Sequence, residues 1–215
     1  MLFRSTVRLP EGSGTGHGAQ HTQSPEGLFL NSTGLKLVAP SNPSDAYHLP
    51  RASIRDNNPV LFFEHKLLYP TEGVISNEPV PIGKAKVIGN GLDVTIIAYS
   101  HAVTTALEAA ELLKENGIDA TVVDLRTLNP LDKETIFKQV QKTGRAVLIQ
   151  DPNGIGGIDA QVCAAICQDK KTFSSLKCRV LQFSGKETPV PFSKDLEKMT
   201  IPQAKDIAVA VGKLF

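Results

Sequence analysis

The sequence predicts an α/β fold in which a mostly parallel sheet fills the second half of the chain. Short β-branched apolar runs alternate there with helical stretches of about 10–15 residues, a pattern that forms right-handed βαβ units. Glycine and proline punctuate the ends of these stretches. Hydrophobic residues make up 41% and charged residues 21% of the 215 positions, so the chain can bury a core.

The first part of the chain holds shorter elements around a glycine-rich segment. Ser24 and Pro25 indicate a helix start, because serine caps helices and proline suits the first helical position. Gly34 suits the end of that helix. Pro50 should kink or shorten the following helix, since proline lacks an amide hydrogen. The predicted elements are a strand over 6–9, a loop over 10–24, a helix ending by 34, a strand over 35–40, a helix over 41–54 and a strand over 60–64.

The regular alternation begins after a proline-rich stretch. Residues 67–82 carry three prolines and no periodicity, which predicts a linker. The elements predicted beyond it are strands over 93–99, 120–125, 145–150 and 178–183, and helices over 103–115, 132–142, 159–168 and 202–211.

Charge and cysteine content exclude several classes of protein. The 23 basic and 22 acidic residues leave a net charge of +1, which argues against a nucleic-acid binder. No apolar run is long enough for a transmembrane helix, so no membrane partner is expected. Three cysteines, Cys163, Cys167 and Cys178, do not make a disulfide scaffold or a zinc motif. Cys163 and Cys167 are four apart, and we interpret them as small core residues of a helix.

The glycine-rich segment PEGSGTGHGAQHTQS, residues 10–24, matches neither of two common glycine-rich phosphate-binding motifs. The spacing is that of neither a Walker A loop nor GxGxxG. A loop of this kind can bring backbone amides close to a ligand. It can equally be a flexible surface loop, and spacing alone leaves the two interpretations open.

Seven segments occur together in the order and spacing of one family. They are HTQSPEGLFLNSTGLKLVAPSNPSDA, IRDNNPVLFFEHKLLY, PIGKAKV, DLRTLNPLDKETI, KTGRAVLI, TPVPF and IPQAKDI. From about Thr6 to Phe215 the chain resembles the β subunits of the thiamine-diphosphate-dependent 2-oxoacid dehydrogenases. The resemblance implies the C-terminal part of a pyrimidine-binding domain over 6–66, a linker over 67–82 and a transketolase C-terminal domain over 83–215.

The same resemblance implies an activity and its partners. It implies oxidative decarboxylation of pyruvate and acyl transfer to the lipoyl group of a dihydrolipoyl acyltransferase, within an α2β2 heterotetramer. Thiamine diphosphate would be the cofactor, with magnesium held mainly by the α subunit. The alternatives are an acetoin or branched-chain 2-oxoacid dehydrogenase, or a non-catalytic docking and dimerisation module. The compartment implied is the bacterial cytoplasm, the mitochondrial matrix or the plastid stroma.

The resemblance also assigns candidate site residues. His21 matches the active-site histidine of the family's His-Ser-Gln motif, although Thr22 replaces the serine, and a proton-transfer role is implied during reductive acylation. The oxygens of Ser53, Ile54, Asp56 and Asn58 match a potassium site, and a hydrogen-bonded turn is the alternative.

Several further positions carry weaker expectations. Phe215, with its free carboxylate, could anchor the subunit-binding domain of the acyltransferase, or could pack back on its own domain. His65 is expected to hydrogen-bond at a domain boundary, and His101 to cap a helix or lie at an interface. At 151, 159 and 161 the chain has Asp, Asp and Gln where the family usually has Glu, Gly and Glu.

No residue is assigned to cofactor binding. The family carboxylate that activates the cofactor's aminopyrimidine would lie in a segment absent from this chain, and Met1–Ser5 matches the family poorly. The chain alone is therefore expected to be inactive.

Overall fold

The computed structural model describes residues 4–215, so the expectation about Met1–Ser5 lies largely outside the described residues. The fold is α/β, as predicted, with two mostly parallel sheets. The strands are β1 Thr6–Glu11, β2 Lys36–Val38, β3 Val60–His65, β4 Lys86–Ile88, β5 Val94–Ala98, β6 Ala120–Asp124, β7 Thr127–Asn129, β8 Ala146–Asn153 and β9 Leu181–Gly185. The helices are α1 Gly18–His21, α2 Glu26–Phe29, α3 Pro43–Arg55, α4 Ala102–Glu115, α5 Lys133–Thr143, α6 Ile158–Gln168, α7 Lys170–Ser175, α8 Lys194–Lys198 and α9 Ala204–Gly212.

The first sheet has the order β1-β3-β2-β7. Strands β1 and β2 both run parallel to β3, whereas β7 pairs with β2 in the antiparallel sense. The sequence VLFFEH of β3 is almost continuously buried, which suits a strand with neighbours on both sides. Because β3 is central, its last residue, His65, is held deep between the two sheets.

The second sheet has the order β4-β6-β5-β8-β9, and only its edge strand β4 is antiparallel. Strand β5 is fully buried and pairs with both β6 and β8, as expected for the middle of a parallel sheet. Helix α4 packs back on this sheet through Ala106, Ala109 and Leu113, and α9 covers the same face with Ile207 and Val211.

The two sheets share one continuous core. A single apolar cluster joins Leu37 and Phe63 of the first sheet to Ile97 and Leu148 of the second. A buried ion pair adds to it: Arg126, just before β7, contacts both carboxylate oxygens of Asp45 in α3, at 2.7 and 2.8 Å. Since β7 comes from the second half of the sequence but joins the first sheet, the division at 67–82 stays a prediction.

Several local predictions were wrong. Helix α3 is not shortened at Pro50 but continues to Arg55. It is stabilised by the burial of Leu49 and Ser53, and by the side chain of Asn42, which caps the helix by accepting a hydrogen bond from the amide of Asp45. The segment 10–24 is not all loop, since α1 forms one helical turn within it. Cys167 is exposed rather than a core residue, and Cys163 is only partly buried.

Short elements were also missed. Strands β4 and β7 have three residues each, and helices α7 and α8 have six and five, too few to show a period. The helix after Ser24 is only four residues long and ends at Phe29, before Gly34. Within 4–215 no helix combines the length and apolar character needed to cross a bilayer.

Candidate functional site

His21 is the last residue of the short helix α1, and its side chain is exposed. It borders a surface cavity of about 440 Å³ that Pro10, His17 and Lys66 also line. The ammonium of Lys66 donates to the backbone carbonyl of His21. The backbone is therefore tethered at this point, while the imidazole remains open to solvent or to a partner.

The glycine-rich segment before α1 is anchored by a buried carboxylate of α8. The amides of Gly14 and Gly16 donate to the two oxygens of Glu197 at 2.7 and 2.8 Å. Glu197 is 1% exposed, and both glycines have a positive φ that other residues rarely adopt. These two amides are already engaged, so the loop does not offer them to a diphosphate.

A larger cavity of about 590 Å³ lies next to this loop. Its wall combines Gln23 of the loop and Leu28 of α2 with Ile155 and with the segment 185–190 that leads towards α8. Leu28 and Ile155 are 80% and 73% exposed. The cavity is thus open and partly apolar, which suits contact with another molecule.

A cluster of buried polar side chains lies beneath the loop, where the two sheets meet. His101 Nδ1 is 2.8 Å and His65 Nε2 is 3.5 Å from the same oxygen of Asp151, Oδ2. The two imidazole rings stack, with centroids 4.7 Å apart. Glu11 and Glu26 are also buried, and the hydroxyl of Ser24 donates to Glu11.

Burial dominates the acid–base behaviour of this cluster. It raises the pKa of Glu26 to about 7, and together with the nearby Glu26 it raises the pKa of Glu11 well above the usual value. Burial also lowers the pKa of His65 to about 4, so this ring is neutral at pH 7. Burial opposes the charge on His101 too, but the hydrogen bond and charge of Asp151 outweigh it and raise the pKa of His101.

The four residues matched to a potassium site lie at the end of α3 and in the turn after it. Asp56 Oδ2 accepts from the ammonium of Lys36 at 2.5 Å, and Asp56 Oδ1 accepts from the amide of Asn58 at 2.9 Å. The carbonyl of Ser53 accepts from the amide of Asp56 at 3.2 Å, and Ile54 is 67% exposed. A lysine ammonium therefore already neutralises the one carboxylate of this set.

Phe215 is 54% exposed at the end of the chain. The centroid of its ring lies 3.9 Å from the guanidinium carbon of Arg145. The apolar stripe of α9 faces inward, since Ile207 and Val211 are fully buried in the second sheet's core. The terminal ring and Val209 are the exposed apolar side chains of this end of the described chain, and they offer surface for a partner.

The sequence predicts that His21 lies on the loop, but it does not predict the buried acidic residues near that loop. Glu11 lies at the start of the glycine-rich segment and Glu26 just after it, and no periodicity showed that both would be buried. Glu197 lies in a charged stretch typical of a solvated face, so nothing in the sequence indicated its contact with the loop. His65, His101 and Asp151 were each noted, but only the fold brings them together.

Two family models match the sequence. Residues 83–207 match the transketolase C-terminal domain, and residues 3–72 match the transketolase pyrimidine binding domain.

Relatives with curated names are about 40% identical. The mitochondrial pyruvate dehydrogenase E1 component subunit beta-1 of Arabidopsis thaliana is 41% identical over 209 residues, which are 94% of this chain and 57% of that protein. The pyruvate dehydrogenase E1 component subunit beta of Rickettsia bellii is also 41% identical, over 96% of this chain and 64% of that protein. The acetoin:2,6-dichlorophenolindophenol oxidoreductase subunit beta of Cupriavidus necator is 41% identical as well, over 96% of this chain and 61% of that protein. The chain thus spans about three fifths of the length of these relatives.

A solved structure shares the fold. A split gene transketolase, described as an inactive beta4 tetramer, superposes with a TM-score of 0.79 over 97% of this chain and 66% of that chain. The sequence identity is 23%, so this likeness concerns the fold alone.

Proposed function

Since the chain belongs to the transketolase family, whose C-terminal-domain model it matches over 83–207, we propose that it is the β subunit of a thiamine-diphosphate-dependent 2-oxoacid dehydrogenase acting on pyruvate. The observation that carries the proposal is the 41% identity to pyruvate dehydrogenase β subunits over nearly the whole chain. The exposed His21 beside an open cavity supports it. The compartment would be the bacterial cytoplasm, the mitochondrial matrix or the plastid stroma.

His21 would act in proton transfer as the acyl group passes to the lipoyl sulfur. Thiamine diphosphate, when bound, supplies the stabilisation of the carbanion left after loss of CO2. Histidine can both give and accept a proton near neutral pH, and an exposed ring can reach an incoming lipoyl arm. Lys66 and Glu197 would hold the backbone around His21 in place, through its carbonyl and through the loop before it.

The remaining parts of the site would come from partners. The amides of Gly14 and Gly16 are engaged by Glu197, and the α subunit of the α2β2 assembly would hold the diphosphate and its magnesium. The lipoyl and subunit-binding domains of the acyltransferase would approach separately, the latter at Phe215. The exposed Leu28 and Ile155 beside the larger cavity would give the assembly apolar contact area.

The experiment that tests this proposal compares substrates. The protein carrying this sequence is mixed with a pyruvate dehydrogenase α subunit, thiamine diphosphate and magnesium, and decarboxylation is followed with an artificial electron acceptor. Pyruvate should be consumed faster than acetoin or a branched-chain 2-oxoacid. Faster turnover of acetoin would favour the second candidate, for which the relative from Cupriavidus necator is equally similar. A stable α–β assembly inert towards all three substrates would favour a docking module.

A potassium ion bound by Ser53, Ile54, Asp56 and Asn58 is part of the same proposal. These residues offer carbonyl, carboxylate and amide oxygens, the ligands that a hard cation prefers. Lys36 competes for Asp56, so the site needs this ammonium to move aside. Replacing potassium by lithium should lower the melting temperature, because the smaller ion cannot reach the same oxygens. Equal melting in both salts would remove the site.

A further inference from the structure

Three metal-ligand side chains from three different elements meet between the two sheets. His65 ends β3, His101 precedes α4, and Asp151 belongs to β8. One ligand atom of each lies within 4.8 Å of the other two. The side chains of His65 and Asp151 are 2% and 5% exposed, whereas that of His101, at 16%, leaves the cluster a route to solvent.

Two of these side chains are buried with an atom that has no hydrogen-bond partner. Neither His65 Nε2 nor Asp151 Oδ1 has one, although buried polar atoms in proteins are nearly always paired. Four buried polar atoms of neighbouring residues also lack a hydrogen-bond partner: Glu11 Oε1, Glu26 Oε2, Tyr99 Oη and Ser100 Oγ. Six of the nine buried side-chain atoms that lack a partner among residues 4–215 thus belong to this group.

Three carboxyl groups are buried around this point. They belong to Glu11, Glu26 and Asp151, and within residues 4–215 no lysine or arginine forms an ion pair with any of them. A divalent cation placed among the three ligands would give the unpaired atoms of His65 and Asp151 a partner.

We propose that His65, His101 and Asp151 form a binding site for one divalent transition-metal ion of the zinc class. Two imidazoles and one carboxylate are the ligands of an open zinc site, in which water takes the fourth position. Imidazole nitrogen favours zinc, cobalt or nickel over magnesium and calcium, which prefer oxygen ligands. A bound ion would fasten the end of β3 to the second sheet, beneath the loop that carries His21.

Binding requires specific rearrangements at the two rings. His65 Nδ1 accepts from the amide of Leu67 at 3.3 Å, so the proton of the neutral ring is on Nε2. When Nε2 binds a metal, that proton has to move to Nδ1, and the hydrogen bond from the amide of Leu67 to Nδ1 is then lost. His101 Nδ1 must release the proton that it now donates to Asp151 Oδ2, either to solvent or by a change of tautomer to Nε2. The rings, now stacked, must also tilt so that His65 Nε2 and His101 Nδ1 converge on the ion.

The test uses the chain itself and needs no enzyme assay. After treatment with a chelator, the protein is titrated with cobalt and zinc, and binding is followed by the visible absorption of cobalt and by calorimetry. We expect one ion per chain and a rise in melting temperature. Asp151→Asn and His65→Gln should each weaken binding by more than about 100-fold, since even a residue behind a ligand is worth about 10–100-fold.

His48→Asn is the matched control. His48 lies on α3, bonded to the carbonyl of Ser76 at 2.8 Å and outside the cluster, so this variant should bind as the original chain does. Circular dichroism without metal establishes that each variant is folded. Binding that is absent from the original chain, or unchanged in folded Asp151→Asn and His65→Gln variants, would overturn the proposal. So would binding that is lost in His48→Asn.

Discussion

Histidines occupy three different environments in this chain, and the environment separates their roles. His21 is exposed on α1, whereas His65 is buried and His101 half-buried between the sheets. Only an exposed ring can meet a lipoyl group carried by another protein. Sequence reasoning reached His21 through its motif, but it could not foresee that His65 and His101 share one carboxylate oxygen. That contact depends on how β3 and β8 are placed, which no local pattern encodes.

Replacing His21 by alanine should separate the two half-reactions of the proposed enzyme. Transfer of the acyl group to a lipoyl domain should fall by about 100-fold or more, the usual contribution of a positioned acid–base group. Decarboxylation with an artificial acceptor should fall much less. His17→Ala, which changes a neighbouring exposed histidine, is the control. Equal losses in both assays would assign His21 to an earlier step or to structure.

Asp124 predicts a pH-dependent difference in stability. It is fully buried at the end of β6, accepts from the hydroxyl of Ser41 at 2.5 Å, and has its pKa raised to about 7 by burial. The native state therefore binds a proton that the unfolded chain releases near pH 4, so this group's contribution to stability is lost as the pH rises from about 4 to 7.

The variant Asp124→Asn has no such proton to lose. Its free energy of unfolding, relative to the original chain, should increase by about 2 kcal/mol between about pH 5 and pH 8. Urea unfolding at the two pH values measures the difference. A constant difference across this range would show that Asp124 is ionised throughout.

At the scale of elements, the predictions held where a run of residues was long enough to show its period. Strands β5, β6 and β8 and helices α4 and α5 lie close to their predicted bounds, because apolar runs and capping residues mark them. Strand β7 and helix α8 were missed. Each is short, and each exists because of a tertiary contact: β7 pairs with β2, and Glu197 of α8 binds the glycine-rich loop.

Deleting Leu214 and Phe215 after α9 should weaken binding of the acyltransferase by at least tenfold, roughly 1.4 kcal/mol. The melting temperature should change little, because the half-exposed ring of Phe215 contributes mainly its contact with Arg145, worth about 0.5–1 kcal/mol at such a site. Val209→Ala, at another exposed position of α9, is the control for a general loss of apolar surface. Unchanged binding with a lower melting temperature would place Phe215 in the core of its own domain.

At the scale of the whole molecule, the shared core and the ion pair between Arg126 and Asp45 join the two sheets into one body. The loop with His21 and the larger cavity lie on its surface, with apolar residues exposed beside them. The fold class could be predicted because alternation of strands and helices is a local signal. The shared core could not, because it depends on β7 crossing to the first sheet.

The central claim is that this chain takes part in acyl transfer as the β subunit of a pyruvate dehydrogenase. The most direct measurement is the mass of a lipoyl domain incubated with pyruvate, thiamine diphosphate, magnesium, an α subunit and the protein carrying this sequence. We predict that an acetyl group is added, and that omitting this protein prevents the addition. A lipoyl domain that stays unmodified, although the two subunits form a stable assembly, would contradict the account.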